Sequence, residues 1–162
     1  MTSVILPGSY DPVTLGHLAV IREAASRYDE VYVVVFVNPD KKYTFSLDER
    51  VKMLMLATDD IDNVLVSYSD GLVIDYMREH GIEKIFKGYR NDADLEYEKK
   101  MAEWNFEHGG YETELWKCPE EIEGISSSAV RECLKAHNGA EKLLPECVLN
   151  YIYSCLDKRS RL

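Results

Sequence analysis

Four short stretches of this 162-residue chain have the residue types and spacing for chemistry on an anion. The first is Pro7-Gly8-Ser9-Tyr10-Asp11-Pro12-Val13-Thr14-Leu15-Gly16-His17, set between the apolar run Val4-Ile5-Leu6 and a helix-like segment. Gly8 permits a tight turn and close backbone approach to a ligand. Ser9 offers a hydroxyl and a backbone N–H, and Asp11-Pro12 restricts the turn. Thr14 to His17 fall in the first turn of the helix, where unpaired N–H groups and the positive dipole end favour an anion. Gly16 costs ~1 kcal/mol in a helix relative to Ala, and one reason to keep it is room for a ligand against the helix start. His17 reads equally well as a histidine satisfied beside a tight turn or as a donor to a ligand. Spacing alone leaves both readings open.

The second stretch is Lys41-Lys42, in a polar loop just past an apolar run; such a pair is either simply solvated or a phosphate contact. The third is Lys87-Gly88-Tyr89-Arg90, two cations around a flexible backbone. Behind it, Asp94, Glu96, Glu98, Lys99 and Lys100 read as an exposed helix face, and Tyr97 either packs under that helix or leans over a base. The fourth is Ile125-Ser126-Ser127-Ser128-Ala129-Val130-Arg131. Its serines supply helix caps and a row of N–H and O–H donors, with Arg131 one turn inside able to reach back. Neither a Gly-x-x-x-x-Gly-Lys-Ser/Thr loop nor a Gly-x-Gly-x-x-Gly after the first strand is present, so a nucleotide would have to be held in another way.

The elements that must position these residues alternate in period. Strands are expected at 3–6, 31–37, 64–68, 83–87 and 111–116, the second being β-branched and apolar throughout, as in a strand covered on both faces. Helices are expected at 15–28, from Ser46-Leu47-Asp48-Glu49 onward (a capping box, with Val51, Leu54, Met55 and Thr58 on the apolar face), and at 72–80, 93–107, 126–136 and 145–156. Five strand–helix alternations with short connections predict an α/β chain. Its expected form is a single-domain, doubly wound five-stranded parallel sheet over residues 1–162, with right-handed crossovers. Ligands of such sheets bind beyond the carboxyl ends of the strands, where strand order reverses, and all four stretches follow strands.

Composition narrows the function. A formal charge of −10 argues against a nucleic-acid partner, and it requires that cations for a polyphosphate be concentrated at one place. No apolar run reaches the ~20 residues of a membrane span. The amino terminus does not read as a signal peptide, so a cytoplasmic protein is expected. Cys118, Cys133, Cys147 and Cys155 fit no zinc spacing and are expected to be reduced packing residues.

Together these stretches resemble a known family. "GSYDPVTLGH" is similar to the nucleotidyltransferase motif Gly-Ser/Thr-Phe-Asp-Pro-x-Thr-x-Gly-His, and "ISSSAVRE" to that superfamily's Ile-Ser-Ser-Ser/Thr motif. "KGYRNDADLEYEKKMAEWN" resembles the Arg-Gly-Leu-Arg-x-x-x-Asp-Phe-Glu-Tyr-Glu-x-x-Met-Ala stretch of the bacterial phosphopantetheine adenylyltransferases. "KKYTFSLDERVKML" and "LLPECV" extend the likeness over nearly the whole chain.

The resemblance implies a Rossmann-like nucleotidyltransferase fold and transfer of AMP from ATP to 4′-phosphopantetheine, giving dephospho-coenzyme A and pyrophosphate. It implies that His17, Lys41 and Arg90 are catalytic, and that Ser9, Tyr10 and His17 meet the ATP phosphates. Gly88, Tyr89, Arg90 and Glu98 would line the nucleotide site. Ile122, Glu123, Gly124, Ile125, Ser126, Ser127 and Ser128 would close over it. Ser9, Lys41, Leu72 and Lys87 would hold the phosphopantetheine. Mg²⁺ is the implied cofactor, carried on the ATP phosphates without a protein ligand. A homohexamer is the implied assembly, and coenzyme A a candidate feedback ligand. Lys87 departs from the family's arginine, Tyr10 and Leu95 from phenylalanines, and Leu15 from asparagine. The alternatives are a related transferase acting on nicotinate mononucleotide or a phospho-alcohol, against which Lys87–Arg90 speaks, and a non-catalytic nucleotide-binding regulator, against which His17 and Lys41 speak.

Overall fold

The structure, a computed structural model, describes residues 1–160, so the last two residues of the expected domain lie outside it. Five strands, β1 (Ser3–Gly8), β2 (Glu30–Phe36), β3 (Val64–Ser69), β4 (Lys84–Tyr89) and β5 (Thr113–Lys117), form one parallel sheet in the order β3-β2-β1-β4-β5. Side chains alternate across it. Val4, Leu6, Val31, Val33 and Val35 face one layer, where Leu18 and Ile21 of α1 (Leu15–Arg27), Met53 and Leu54 of α2 (Leu47–Ala57) and residues of two later helices pack. Ile5, Val34 and Ile85 face the other, against Tyr76 and Met77 of α3 (Val73–His80). Helix α4 (Asp92–Gly109) lies beside α3, β4 and β5. The chain closes with α5 (Ser127–Ala136) and α6 (Glu146–Ser160).

Strand order reverses at β1, whose neighbours are β2 and β4. β1 pairs with β2 over six residues, from Ser3↔Glu30 to Gly8↔Val35, but with β4 only at Val4↔Lys84 and Ile5↔Ile85. Pro7 explains the early parting: it has no N–H to continue the ladder, and its free carbonyl instead accepts from the Lys87 ammonium at 3.4 Å. The crevice left between the strand ends is where ligands of open α/β sheets bind.

Boundaries differ from expectation in informative ways. β4 runs through Gly88 and Tyr89, and α4 begins at Asp92, so the expected loop between them shrinks to Arg90 and Asn91. On α2 the buried face is Arg50, Met53, Leu54 and Ala57, while Met55 stands 53% exposed. Apolar periodicity passed over Arg50 because its charge masks a residue that packs inside.

Candidate nucleotide-binding site

Two cavities open at the carboxyl ends of β1 and β4, of about 410 and 520 Å³. They share one wall, made of Pro7, Gly8, Ser9, Lys87, Tyr97 and Glu98. The first is lined by Ser9, Tyr10, His17, Gly88 and Arg90 and capped by Ile122, Ile125, Ser126 and Ser127. Leu72 lines the second, with Phe36, Met101 and Asn105. Lys41 lines neither, but its ammonium reaches the Ser9 hydroxyl at 3.4 Å, at the shared wall. Tyr89, Glu123, Gly124 and Ser128 lie along the same segments without lining either cavity.

Loop one, residues 9–14, is held from three sides. The Asp11 carboxylate accepts the backbone N–H groups of Thr44 and Phe45, both at 2.9 Å. Arg131 donates to the Asp11 carbonyl at 2.8 Å and to the Ser128 hydroxyl at 3.0 Å. Arg131 therefore does not reach back to a ligand as expected; it ties α5 to loop one. The Tyr10 hydroxyl donates to the Leu6 carbonyl at 2.9 Å, folding the ring beneath the loop and against the His17 ring. Loop one can thus meet a ligand through its backbone and Ser9, not through the phenol.

The serine run is less available than its composition suggested. The Ser126 hydroxyl caps Ala129, Ser127 donates to the Pro12 carbonyl at 2.8 Å, and Ser128 accepts from Arg131. Ser126 and Ser127 still line the cavity at the start of α5, where the first-turn N–H groups of a helix favour an anion.

His17 is fixed in one tautomer. Thr14 caps α1, and its backbone N–H donates to His17 Nδ1 at 3.0 Å while its hydroxyl accepts from the His17 N–H. An Nδ1 that accepts carries no proton, so in the neutral ring Nε2 is the donor. Burial, then the charges of Lys87 and Arg90, bring the His17 pKa down to about 4. It is a neutral donor near pH 7, rather than one more cation. The positive charge comes from Lys87 and Arg90, each set by a carboxylate. Lys87 lies 3.5 Å from Glu98, and Arg90 Nε donates to Asp94 at 2.9 Å. Burial works against ionisation of Asp94, but the Arg90 side chain and backbone N–H outweigh it and hold the carboxyl below the ordinary range. Asp94 and Glu98 are therefore not a solvated face; they orient the two cations. Tyr97, 62% exposed, stands at the rim of both cavities rather than under its helix.

Gly16 has a different reason from the one expected. A Cβ there would stand 3.1 Å from the Ile125 carbonyl oxygen. The glycine admits the segment before α5, which roofs the cavity, and acts on a ligand only through that roof. Gly88 is tighter still, with Val20 Cγ2 2.5 Å from where a Cβ would lie.

Such a crevice, with one cavity for a nucleotide and a second meeting it at a serine and a lysine, fits a transferase that joins two substrates. The cytidylyltransferase-like family model matches residues 5–133. A phosphopantetheine adenylyltransferase of Clostridium novyi (strain NT) is 40% identical over 159 residues, covering 98% of this chain and 99% of the relative. The chain belongs to the phosphopantetheine adenylyltransferase family. At the shared wall Lys87 offers one ammonium where a guanidinium would offer a planar fork, and the Tyr10 hydroxyl is absorbed by the Leu6 carbonyl of β1.

Sequence reasoning missed Asp94, Asp11 and Arg50 as parts of the site. The Asn91 cap, three residues before Asp94 and one after Arg90, was the available signal for the first. Nothing in the pattern marked the others, since the Asp11 carboxylate meets Thr44 and Phe45, 33 and 34 residues away, and Arg50 meets Ser9, 41 residues away.

Proposed function

We propose that the chain transfers the adenylyl group of ATP to 4′-phosphopantetheine, giving 3′-dephospho-coenzyme A and pyrophosphate. The observation that carries this reading is the shared wall: two cavities that meet at Ser9 and Lys87, within reach of Lys41. ATP takes the first cavity, with its base under Ile122 and Ile125 and its phosphates toward His17, Arg90 and the start of α5. The pantetheine arm takes the more apolar second cavity beside Leu72.

An oxygen of the phosphopantetheine phosphate attacks the α-phosphorus. The bond from that phosphorus to the bridging oxygen breaks, and pyrophosphate leaves with the electron pair. The attacking monoester is largely dianionic above its second pKa of ~6, so no general base is required and no covalent intermediate forms. The protein aligns the two phosphates and stabilises the developing charge. Lys41 and Ser9 hold the nucleophile, His17 Nε2–H donates to the phosphates without adding charge, and Arg90, anchored on Asp94, presents its remaining N–H groups. The donor set of Lys87, Arg90, His17 and backbone N–H groups suits phosphate oxygens, and among the described residues no cluster of His, Cys, Asp or Glu could hold a metal. Mg²⁺ would enter on the phosphates, where it neutralises charge on the leaving pyrophosphate.

The working form is a cytoplasmic homohexamer with coenzyme A as a feedback ligand at the same cavities and no nucleic-acid partner. Exposed apolar side chains on β3 and α4, among them Leu65, Tyr68, Trp104 and Phe106, support association between copies. No helix among the described residues is long and apolar enough to cross a membrane. The deciding experiment measures pyrophosphate release from ATP with a panel of acceptors. Release with 4′-phosphopantetheine is expected. Release only with nicotinate mononucleotide or a phospho-alcohol would reassign the substrate, and ATP binding without release would make the protein a regulator.

A further inference from the structure

Arg50, on α2, is the bulkiest of the fully enclosed side chains, 2% exposed. Its guanidinium is a cation with donors only, yet among the described residues no carboxylate lies within ion-pairing distance of it. It lies instead on the face of Tyr43, 3.8 Å from the ring centre. Its Nε donates to the Phe45 carbonyl at 3.2 Å, and a terminal nitrogen donates to the Ser9 carbonyl at 3.0 Å. A buried charge with no counter-ion is destabilising. Core packing alone does not call for one, since an apolar side chain of similar size would fill the space.

What Arg50 grips is informative. In a planar trans peptide the C=O and the following N–H point in opposite directions. Holding the Ser9 carbonyl toward α2 therefore turns the Tyr10 N–H away from α2. Ser9 and Tyr10 line the first cavity and Arg50 does not. No acceptor among the described residues takes that N–H. Tyr10 also sits at φ 48, the left-handed region, which costs a residue with a Cβ ~1–2 kcal/mol and persists only where its surroundings impose it.

We propose that Arg50 is a positioning residue for adenylyl transfer. It fixes the Ser9–Tyr10 peptide so that the Tyr10 N–H donates to a nucleotide phosphate oxygen, and it ties loop one to the loop that carries Lys41. The second half follows from its other contacts. Phe45 and Tyr43 belong to the Lys41 loop, and the Tyr43 hydroxyl accepts the Asn38 N–H at 3.0 Å. One guanidinium thus sets the distance between the donors on the nucleotide and the lysine on the incoming phosphate. The missing counter-charge arrives with the substrates. This inference rests on the adenylyl-transfer reading.

Loop one keeps its Asp11 and Arg131 anchors without Arg50, so variants should fold. Arg50→Lys keeps charge and stem, but a single ammonium cannot hold both carbonyls while lying on Tyr43; Arg50→Met keeps volume alone. The measurements are kcat and KM by pyrophosphate release, circular dichroism, and the Tyr10 amide resonance of nitrogen-15 tyrosine-labelled protein titrated with α,β-methylene ATP. The expected result for Arg50→Lys is native dichroism, a kcat lower by about 10²-fold and a KM for 4′-phosphopantetheine near the wild-type value. The analogue should move the Tyr10 amide in the wild type and leave it unmoved in Arg50→Lys. A wild-type kcat in either folded variant would overturn the proposal. So would a Tyr10 amide that ignores the analogue in the wild type, or one that still responds in Arg50→Lys. If Arg50→Met does not fold, Arg50→Lys and the wild-type titration still decide. A wild type that binds the analogue but releases pyrophosphate with no acceptor would sink the adenylyl-transfer reading instead, and the amide titration distinguishes the two failures.

Discussion

His17 carries its proton on Nε2 because the Thr14 N–H occupies Nδ1, and it stays neutral because burial and two nearby cations oppose a further charge. Its depressed pKa, about 4 against an ordinary ~6.5, has a definite sign. Between those values the unfolded chain binds more protons than the folded one, so this group's contribution to stability is full above about pH 6.5 and falls as pH drops toward 4. In the free protein the His17 ring resonances should therefore stay flat from about pH 8 to pH 5.5; a midpoint near ~6.5 would contradict the buried, cation-flanked environment. Activity should instead decline below about pH 6, as the attacking phosphate takes up its second proton. His17→Ala removes one preorganised donor and should lower kcat by ~10²–10³ with circular dichroism unchanged. Pyrophosphate release close to wild type would end the case for this residue.

At the scale of elements, two glycines set how closely α1 meets its neighbours. Gly16→Ala adds a Cβ 3.1 Å from the Ile125 carbonyl, while gaining ~1 kcal/mol of helix propensity. These effects oppose each other in stability but not in function. The melting temperature should change little and KM for ATP should rise several-fold, as the roof over the cavity is pushed outward. An unchanged KM would mean the roof moves freely. Gly88→Ala meets Val20 Cγ2 at 2.5 Å, where a β-branched side chain on a packed helix has nowhere to swing. It should destabilise by ~1–3 kcal/mol, read as a lower urea midpoint. A midpoint equal to wild type would show that β4 and α1 can separate without loss.

For the whole molecule, a charge of −10 surrounds a site whose cations are few and already committed. Lys87 and Arg90 are each paired with a carboxylate, which offsets the repulsion between the two cations and leaves their remaining donors for phosphate. The exposed apolar residues Leu65 and Tyr68 on β3 and Trp104 and Phe106 on α4 line neither cavity, and the proposed association of copies would cover them. Light scattering should give a mass near six times 18.6 kDa. A monomer at micromolar concentration would contradict that assembly.

The strand and helix pattern, the Ser46–Glu49 capping box and the position of the loops at the strand ends were legible from local sequence, because apolar periodicity and cap chemistry act over a few residues; the capping box of Thr14 with His17 emerged only from the structure. So was the gathering of Ser9, His17, Lys41, Lys87 and Arg90 around one crevice, since all follow strands of a parallel sheet that collects its loops at one end. Strand order was not legible, nor the partners of polar side chains. The Arg50 grip on Ser9 spans 41 residues and that of Arg131 on Asp11 spans 120. Nor could sequence say that His17 is neutral, that the three serine hydroxyls are spent on the Ala129 N–H, the Pro12 carbonyl and Arg131, or that Gly16 yields to a carbonyl rather than a ligand. Each of these depends on which groups the tertiary fold brings within ~3 Å, and a hydrogen bond or a desolvated charge is decided by that geometry rather than by residue type.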